Sequence, residues 1–200
     1  MNIEGLTLKL LTDTLNEELL GSKIYKVYMP NPQSLLLLVR RTRDTSSLLA
    51  DMHNGSCVLY LPQQLPENPE TPPTFCMLLR KHLQNGRIVN ISQPGLERIV
   101  HIDIEHLDEM GDLRHKTLVM ELMGKHSNLI FCNDDNTIID SIKHVSSAVS
   151  SLREVLPGKE YFIPATQEDK FNAMTMDATQ ICDAIKAKPM SICKAIYTTF

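Results

Sequence analysis

The sequence predicts an α+β domain. Its core is antiparallel sheet closing into a sandwich or barrel-like arrangement with flanking helices, and the start of a separate helical region follows. Three observations carry this prediction. Between residues 87 and 140, short apolar or alternating runs are separated by turn chemistry at Pro94-Gly95, Met110-Gly111-Asp112 and Asn133-Asp134-Asp135-Asn136, which is the pattern of an antiparallel meander. Helical spacing before that point is confined to a few segments, first at Leu11, Leu15 and Leu19. From Gln167 onward the periodicity is helical alone, so the chain divides into residues 1–166 and 167–200.

Taken in order, residues 6–20 form the first helix, with Gly21 just past its last turn as a C-terminal cap. Lys23 to Met29 alternates polar and apolar side chains, as a half-buried strand does. Pro30-Asn31-Pro32 turns the chain into Ser34 to Arg41, a buried run of leucines whose end carries Arg40, Arg41 and Arg43 as a solvated basic edge. Two short strands follow near 47–53 and 57–61. Five prolines from Pro62 to Pro73 forbid both a helix and a central strand, so that stretch is a loop. It leads to a helix over 74–84, capped by Thr74, with Phe75, Met77, Leu78, Leu79 and Leu83 as its apolar surface and Asn85-Gly86 as its end. Strands are expected near 87–92, 98–105, 115–122, 128–132 and 137–141, then an irregular stretch over 143–166, then helices near 168–174, 178–187 and 189–199. Phe200 falls in mid-pattern, so the chain reads as a fragment of a longer protein.

A chain of 200 residues with 42% hydrophobic and 22% charged side chains is an ordinary globular protein. Trp is absent, so aliphatic residues and ten Met must fill the core, Met77, Met120 and Met123 among them. The formal charge of −4 excludes a nucleic-acid domain that works by bulk basicity; any RNA contact must use a local patch. Cys57, Cys76, Cys132, Cys182 and Cys193 are odd in number, widely spaced and without a CxxC pair, which predicts reduced, buried thiols in a cytoplasmic protein and no zinc site. The N-terminus lacks the pattern of a secretory signal, and the longest apolar run, Leu35 to Val39, is far too short to span a bilayer.

Several residues could carry chemistry. Gly124 opens a short turn on which Lys125, His126, Ser127 and Asn128 place a cation, an imidazole, a hydroxyl and an amide. This is more polar chemistry than joining two strands requires, although a solvated loop accounts for it too. Glu97-Arg98 opens a strand after a turn. A guanidinium there can grip a phosphate through two N–H groups, or it can be half of a solvated ion pair worth about 0–1 kcal/mol. Glu4 precedes the first helix, where an anion is favoured by the helix dipole. Arg80, Lys81 and His82 end a helix; with Arg87 and the Lys125-His126 turn they could form a positive patch. His101, Asp103, Glu105 and His106 offer metal-ligand types, but nothing completes a tetrahedral set, so no metal and no cofactor is expected.

The order of Thr71-Pro72-Pro73 with Arg80-Lys81-His82-Leu83, Gly95-Leu96-Glu97-Arg98-Ile99, Glu121 to Ile130, Arg153-Glu154-Val155-Leu156-Pro157-Gly158, Tyr161 and Pro164 resembles the N-terminal domain of the NFACT family. Its bacterial members were named fibronectin-binding protein A and are also described as RqcH-type ribosome quality control factors. The resemblance implies a fold similar to the N-terminal domain of formamidopyrimidine-DNA glycosylases, followed by a helix-hairpin-helix region. It also implies a non-enzymatic role: binding the large ribosomal subunit that carries peptidyl-tRNA and a stalled nascent chain, and recruiting tRNA, alanyl-tRNA in bacteria, for C-terminal tailing. The resemblance implies tRNA contacts through Glu97-Arg98 and Glu4; family members often carry Asp where Glu97 and Glu4 stand, so the charge is kept with a longer reach. The family's older name implies a fibronectin- or fibrinogen-binding adhesin exposed at the cell surface by non-classical export. Glycosylase chemistry is not expected, because those enzymes use a proline after the initiator Met and Asn2 stands here.

Overall fold

The computed structural model describes residues 3–41, 44–53, 57–164, 171 and 173–200. They belong to two compact units, Met1–Phe162 and Ile163–Phe200. The larger unit is built on β1 (Lys23–Tyr28), β2 (Ser34–Arg41), β3 (Asp44–Asp51), β4 (Val58–Tyr60), β5 (Arg87–Ser92), β6 (Ile99–Leu107), β7 (Leu113–Glu121), β8 (Asn128–Asn133) and β9 (Ile138–Ser141). Their order in the sheet is β4-β3-β2-β1-β5-β6-β7-β8-β9, all antiparallel, so the expected meander is present.

The junction between β1 and β5 is narrow. A single pair, Lys23 with Arg87, joins them, supported by backbone bonds from Ile24 N–H to Gly86 O (2.8 Å) and Ile88 N–H to Ser22 O (2.9 Å). The sheet therefore has two arms. Leu35, Leu37, Val39 and Leu48 of one arm and Ile88, Val100, Ile102, Leu118, Met120 and Phe131 of the other are buried in one core cluster. In hydrogen-bonding order the sheet is open, with β4 and β9 as its edges; what it shares with a sandwich is the interior common to both arms.

Helix α1 (Gly5–Leu19) lies on β5 and buries Leu8, Thr12, Leu15 and Leu19. The buried stripe thus runs i, i+4, i+7, i+11, whereas the expected Leu11–Leu15–Leu19 spacing overshoots a full turn by about 40° at each step. Leu11 packs only at the margin of the core. Helix α2 (Thr74–Leu83) starts one residue earlier than the Thr74 cap requires: Pro73 is its N-cap and no side chain caps it. Its inward residues are Phe75, Cys76, Leu79 and Leu83, which leaves Met77 52% exposed rather than in the core. Asn85 takes the left-handed backbone after α2, at φ 72°.

β6, β7 and β8 are covered on their other face as well. Ile99, Val119, Ile130, Ile138, Val155 and Tyr161 are buried there, outside the main core. The stretch from Lys143 to Phe162, expected as irregular, is a strap stapled by the isolated pairs Val145–Val155 and Thr137–Glu160.

The smaller unit holds a short turn at 173–175, α3 (Ala178–Lys186) and α4 (Ile192–Thr199). Asp177 and Gln180 cap α3 reciprocally. Most of the helix expected at 168–174 lies outside the described residues. Cys57, Cys76 and Cys132 are buried, but Cys182 and Cys193 are exposed, contrary to the expectation of buried thiols throughout. No helix among the described residues is long and apolar enough to cross a membrane.

Candidate functional site

Three segments meet at one end of the larger unit. The Arg98 carbonyl accepts from Leu122 N–H at 2.8 Å, next to the Ile99–Glu121 pair, so Arg98 stands where β7 runs out into the turn 124–126. Gln93 Nε2 donates to Gly5 O (3.0 Å) and to Glu97 O (2.7 Å), tying the start of α1 to the β5–β6 loop. Gly5 is required for this approach, because a Cβ there would lie 2.1 Å from Leu96 O. Glu4, Glu97, Arg98, Lys125 and His126 therefore share one end of the larger unit. Arg98 is half-buried and the other four are exposed. Among the described residues, none of these five side chains has a hydrogen-bond or ion-pair partner.

The turn divides its polar residues between inside and outside. Ser127 is fully buried: its Oγ accepts from Met123 N–H (2.8 Å) and lies 2.7 Å from Cys57 Sγ. Asn128 is buried as well. Its Oδ1 accepts from Leu129 N–H (2.9 Å) and Lys143 N–H (3.0 Å), and its Nδ2 donates to Lys143 O (2.9 Å). Both side chains thus hold the turn in place, and Lys125 and His126 are what it presents to solvent. Gly124, at φ 60°, supplies the left-handed step that lets the chain reverse.

The profile of the NFACT N-terminal and middle domains matches residues 4–200. The chain belongs to the NFACT family. It is 38% identical over 169 residues to the Rqc2 homolog RqcH of Bacillus subtilis, covering 84% of this chain and 30% of that protein. It is 33% identical over 192 residues to the Rqc2 homolog RqcH of Streptococcus pneumoniae, covering 96% of this chain and 35% of that protein. The chain thus spans about a third of the length of these curated relatives. Among solved structures it resembles the N-terminal domain of fibronectin-binding protein PavA from Streptococcus pneumoniae, with TM-score 0.89 and 33% identity over 98% of this chain and 73% of that one. It also resembles the fibrinogen binding protein from Staphylococcus aureus, with TM-score 0.86 and 31% identity over 98% of this chain and 69% of that one.

In this NFACT chain the other predicted cations lie elsewhere. Arg80 Nε donates to Val27 O (2.8 Å) and its guanidinium sits over the Tyr28 ring. Lys81 pairs with Glu109 at 3.5 Å, and His82 meets the His106 ring, both at the far end of β6. Nine residues of β6 separate that end from Arg98, roughly 30 Å. Arg87 sits on the narrow junction, donating to Gly21 O. The single patch combining Arg80, Lys81, Arg87 and the Lys125 turn is not formed. Arg40 and Arg41 are exposed as expected, Arg40 over the Tyr25 ring; Arg43 lies outside the described residues. Asp103 accepts from Thr117 Oγ1 (2.8 Å) and Asn90 Nδ2 (2.9 Å) instead of facing a metal, and among the described residues no group of three His, Cys, Asp or Glu side chains could hold one.

One cluster escaped the sequence reading. Glu121, only 2% exposed, receives Arg153 Nη2 on both oxygens (2.5 and 2.6 Å) and the Tyr161 hydroxyl on Oε1 (3.0 Å). Burial works against the Arg153 charge, but the Glu121 bonds and charge outweigh it and its pKa is raised. Burial and then the Glu121 charge push the Tyr161 phenol well above its ordinary range. The available signal was a lone carboxylate at the end of the apolar strand Leu118-Val119-Met120-Glu121, a charge that requires a partner once buried.

Proposed function

We propose that this chain is the tRNA-holding module of a ribosome quality control factor. On a large ribosomal subunit carrying a stalled nascent chain, it recruits tRNA, alanyl-tRNA in bacteria, for C-terminal tailing. The observation that carries this reading is the convergence of Glu4, Glu97, Arg98, Lys125 and His126 on one end of the sheet, their side chains unengaged among the described residues. A free guanidinium grips phosphate or stacks on a base, and carboxylates accept base amino hydrogens or ribose hydroxyls. The similarity to Rqc2 homologs supports it. The module needs no cofactor and performs no covalent step; peptide-bond chemistry stays with the ribosome. The glycosylase-like fold that the resemblance implies brings no amine nucleophile, since position 2 is Asn2.

The test is tRNA binding by this chain and by Arg98→Ala across a salt series. Two phosphate contacts, from Arg98 and Lys125, give a loss of about tenfold between 50 and 200 mM salt. Arg98→Ala binds more weakly, with a shallower slope. Equal binding by both variants removes the pair from the interface, and no binding by the wild-type chain refutes the reading for this module.

A second reading, favoured by what the structural neighbours are described as binding, is capture of fibronectin or fibrinogen at the cell surface. Saturable binding of purified fibronectin, with surface labelling of the native protein, supports it; neither result leaves it standing alone.

A further inference from the structure

The Arg153-to-Tyr161 stretch takes no part in the exposed cluster, yet it contributes the most deeply buried ion pair among the described residues. The reason lies in which residues the strap holds. Glu121 and Asn128 are cross-strand partners, the last pair of β7 and β8 before the turn that carries Lys125 and His126. The strap grips both members of that pair. Arg153 and Tyr161 hold Glu121, and Arg153 Nη1 donates to Phe162 O at 2.8 Å, which fixes the guanidinium from the other side. Lys143, at the start of the strap, exchanges two backbone bonds with the Asn128 amide, and its Nζ reaches Lys125 O at 3.3 Å.

We infer that Arg153 is a positioning residue for the RNA interface, acting through Glu121 to clamp the base of the Lys125–His126 turn. A buried ion pair is a poor source of stability compared with apolar residues of the same size, but it permits few alternative arrangements. An apolar side chain at position 121 would tolerate a shifted strap; a carboxylate shared between a guanidinium and a phenol does not. The turn itself is a single short reversal held by Met123 N–H on Ser127 Oγ, His126 N–H on Met123 O and Ser127 N–H on Gly124 O, with Cys57 Sγ against Ser127 Oγ and Gly124 O; the rest of its aim is set at its base. The effect on RNA rests on the function proposed above; the clamp is tested without RNA.

Amide hydrogen exchange over residues 122–128 is compared in the wild-type chain, Arg153→Met and the milder Tyr161→Phe, which removes one hydroxyl and keeps the fold should the first variant be lost. Arg153→Met raises exchange at the turn by about tenfold or more while β2 and β3 are unchanged, and Tyr161→Phe shifts it the same way by less. In tRNA binding, Arg153→Met weakens affinity about as much as Lys125→Ala, and combining the two adds little. Unchanged turn exchange in variants that merely melt earlier overturns the clamp. So does a loosened turn with tRNA affinity unaltered. If the wild-type chain binds no tRNA, the proposed function fails and the exchange comparison still decides the clamp.

Discussion

Replacing Gly5 by alanine tests whether the α1 start and the Glu97-Arg98 loop form one unit. The added methyl would lie 2.1 Å from Leu96 O and 3.1 Å from Leu96 C. Carbon and carbonyl oxygen rest at about 3.3 Å even in close contacts, so the overlap is about 1 Å. The atom struck is backbone and cannot rotate aside. Overpacking of this kind costs about 1–3 kcal/mol, and because Gly5 is the first residue of α1, alanine gains little helix propensity there to offset it. That loss lowers Tm by about 2–12 °C in a chain of this size. Leu96 precedes Glu97 and Arg98, so relief of the overlap moves the interface and weakens tRNA binding beyond the loss of stability. Gly21→Ala is the control: it meets nothing within 4 Å, sits at φ +77°, and costs about 1 kcal/mol from backbone strain alone. Urea denaturation and tRNA titration read both effects. If Gly5→Ala unfolds at the wild-type urea midpoint, or binds tRNA with wild-type affinity, the close approach does not hold the loop.

Glu121→Ala takes the carboxylate from the half-buried Arg153, which keeps its bond to Phe162 O, and lowers unfolding free energy by about 1–3 kcal/mol, read as a reduced urea midpoint. Burial lowers the His101 pKa, with Asp103 and Glu121 opposing, and burial with Lys116, His106 and Lys81 lowers that of His82, with Glu109 opposing. The unfolded chain therefore binds more protons just below the ordinary histidine value of about 6.5; stability is fully present above that pH and falls as pH drops through it, and His101→Asn flattens the slope. Burial, with the Glu121 and Asp135 charges, pushes the Cys132 thiol up to about 12, so at pH 8 a maleimide labels the exposed Cys182 and Cys193 and spares Cys132 until the chain is unfolded. Asn85→Ala, at φ 72°, destabilises by about 1–2 kcal/mol, whereas Asn85→Gly does not, as paired melting curves will show.

Much of the fold was legible because it rests on period and punctuation. Alternation in β1, the turns at Pro94-Gly95 and Met110-Gly111-Asp112, and the proline loop before α2 are local signals, and local structure follows them. The narrow β1–β5 junction was not legible, since one residue pair across 64 positions leaves no periodic trace. Helix faces were half legible. Leu15 and Leu19 were found, but Met77 points outward because β1 and β6 occupy the other side of α2, which is tertiary information. Glu121 read as one more polar residue at a strand end, because its partner lies 32 residues away in a stretch without pattern.

Of the candidate site, the sequence shows which residues cluster on the turn but not which way their side chains face. Four polar side chains in a row look equivalent in a sequence, yet Ser127 and Asn128 are spent on Cys57, Met123 and Lys143, and only Lys125 and His126 reach solvent. That division changes the physics of recognition. The candidate set carries two carboxylates, Glu4 and Glu97, against the half-buried Arg98, the exposed Lys125 and a histidine. Such a set has almost no net charge, so under the proposed reading its own field attracts a polyanion only weakly. Affinity must then come from where the groups stand. A carboxylate repels phosphate but accepts from a base or a ribose, so alternating signs select a register along the nucleic acid instead of a mere approach to it. Under the proposed function, position is then the quantity under constraint, and the dense bonding at Gly5, Gln93, Ser127, Asn128 and Glu121 is what such a constraint requires.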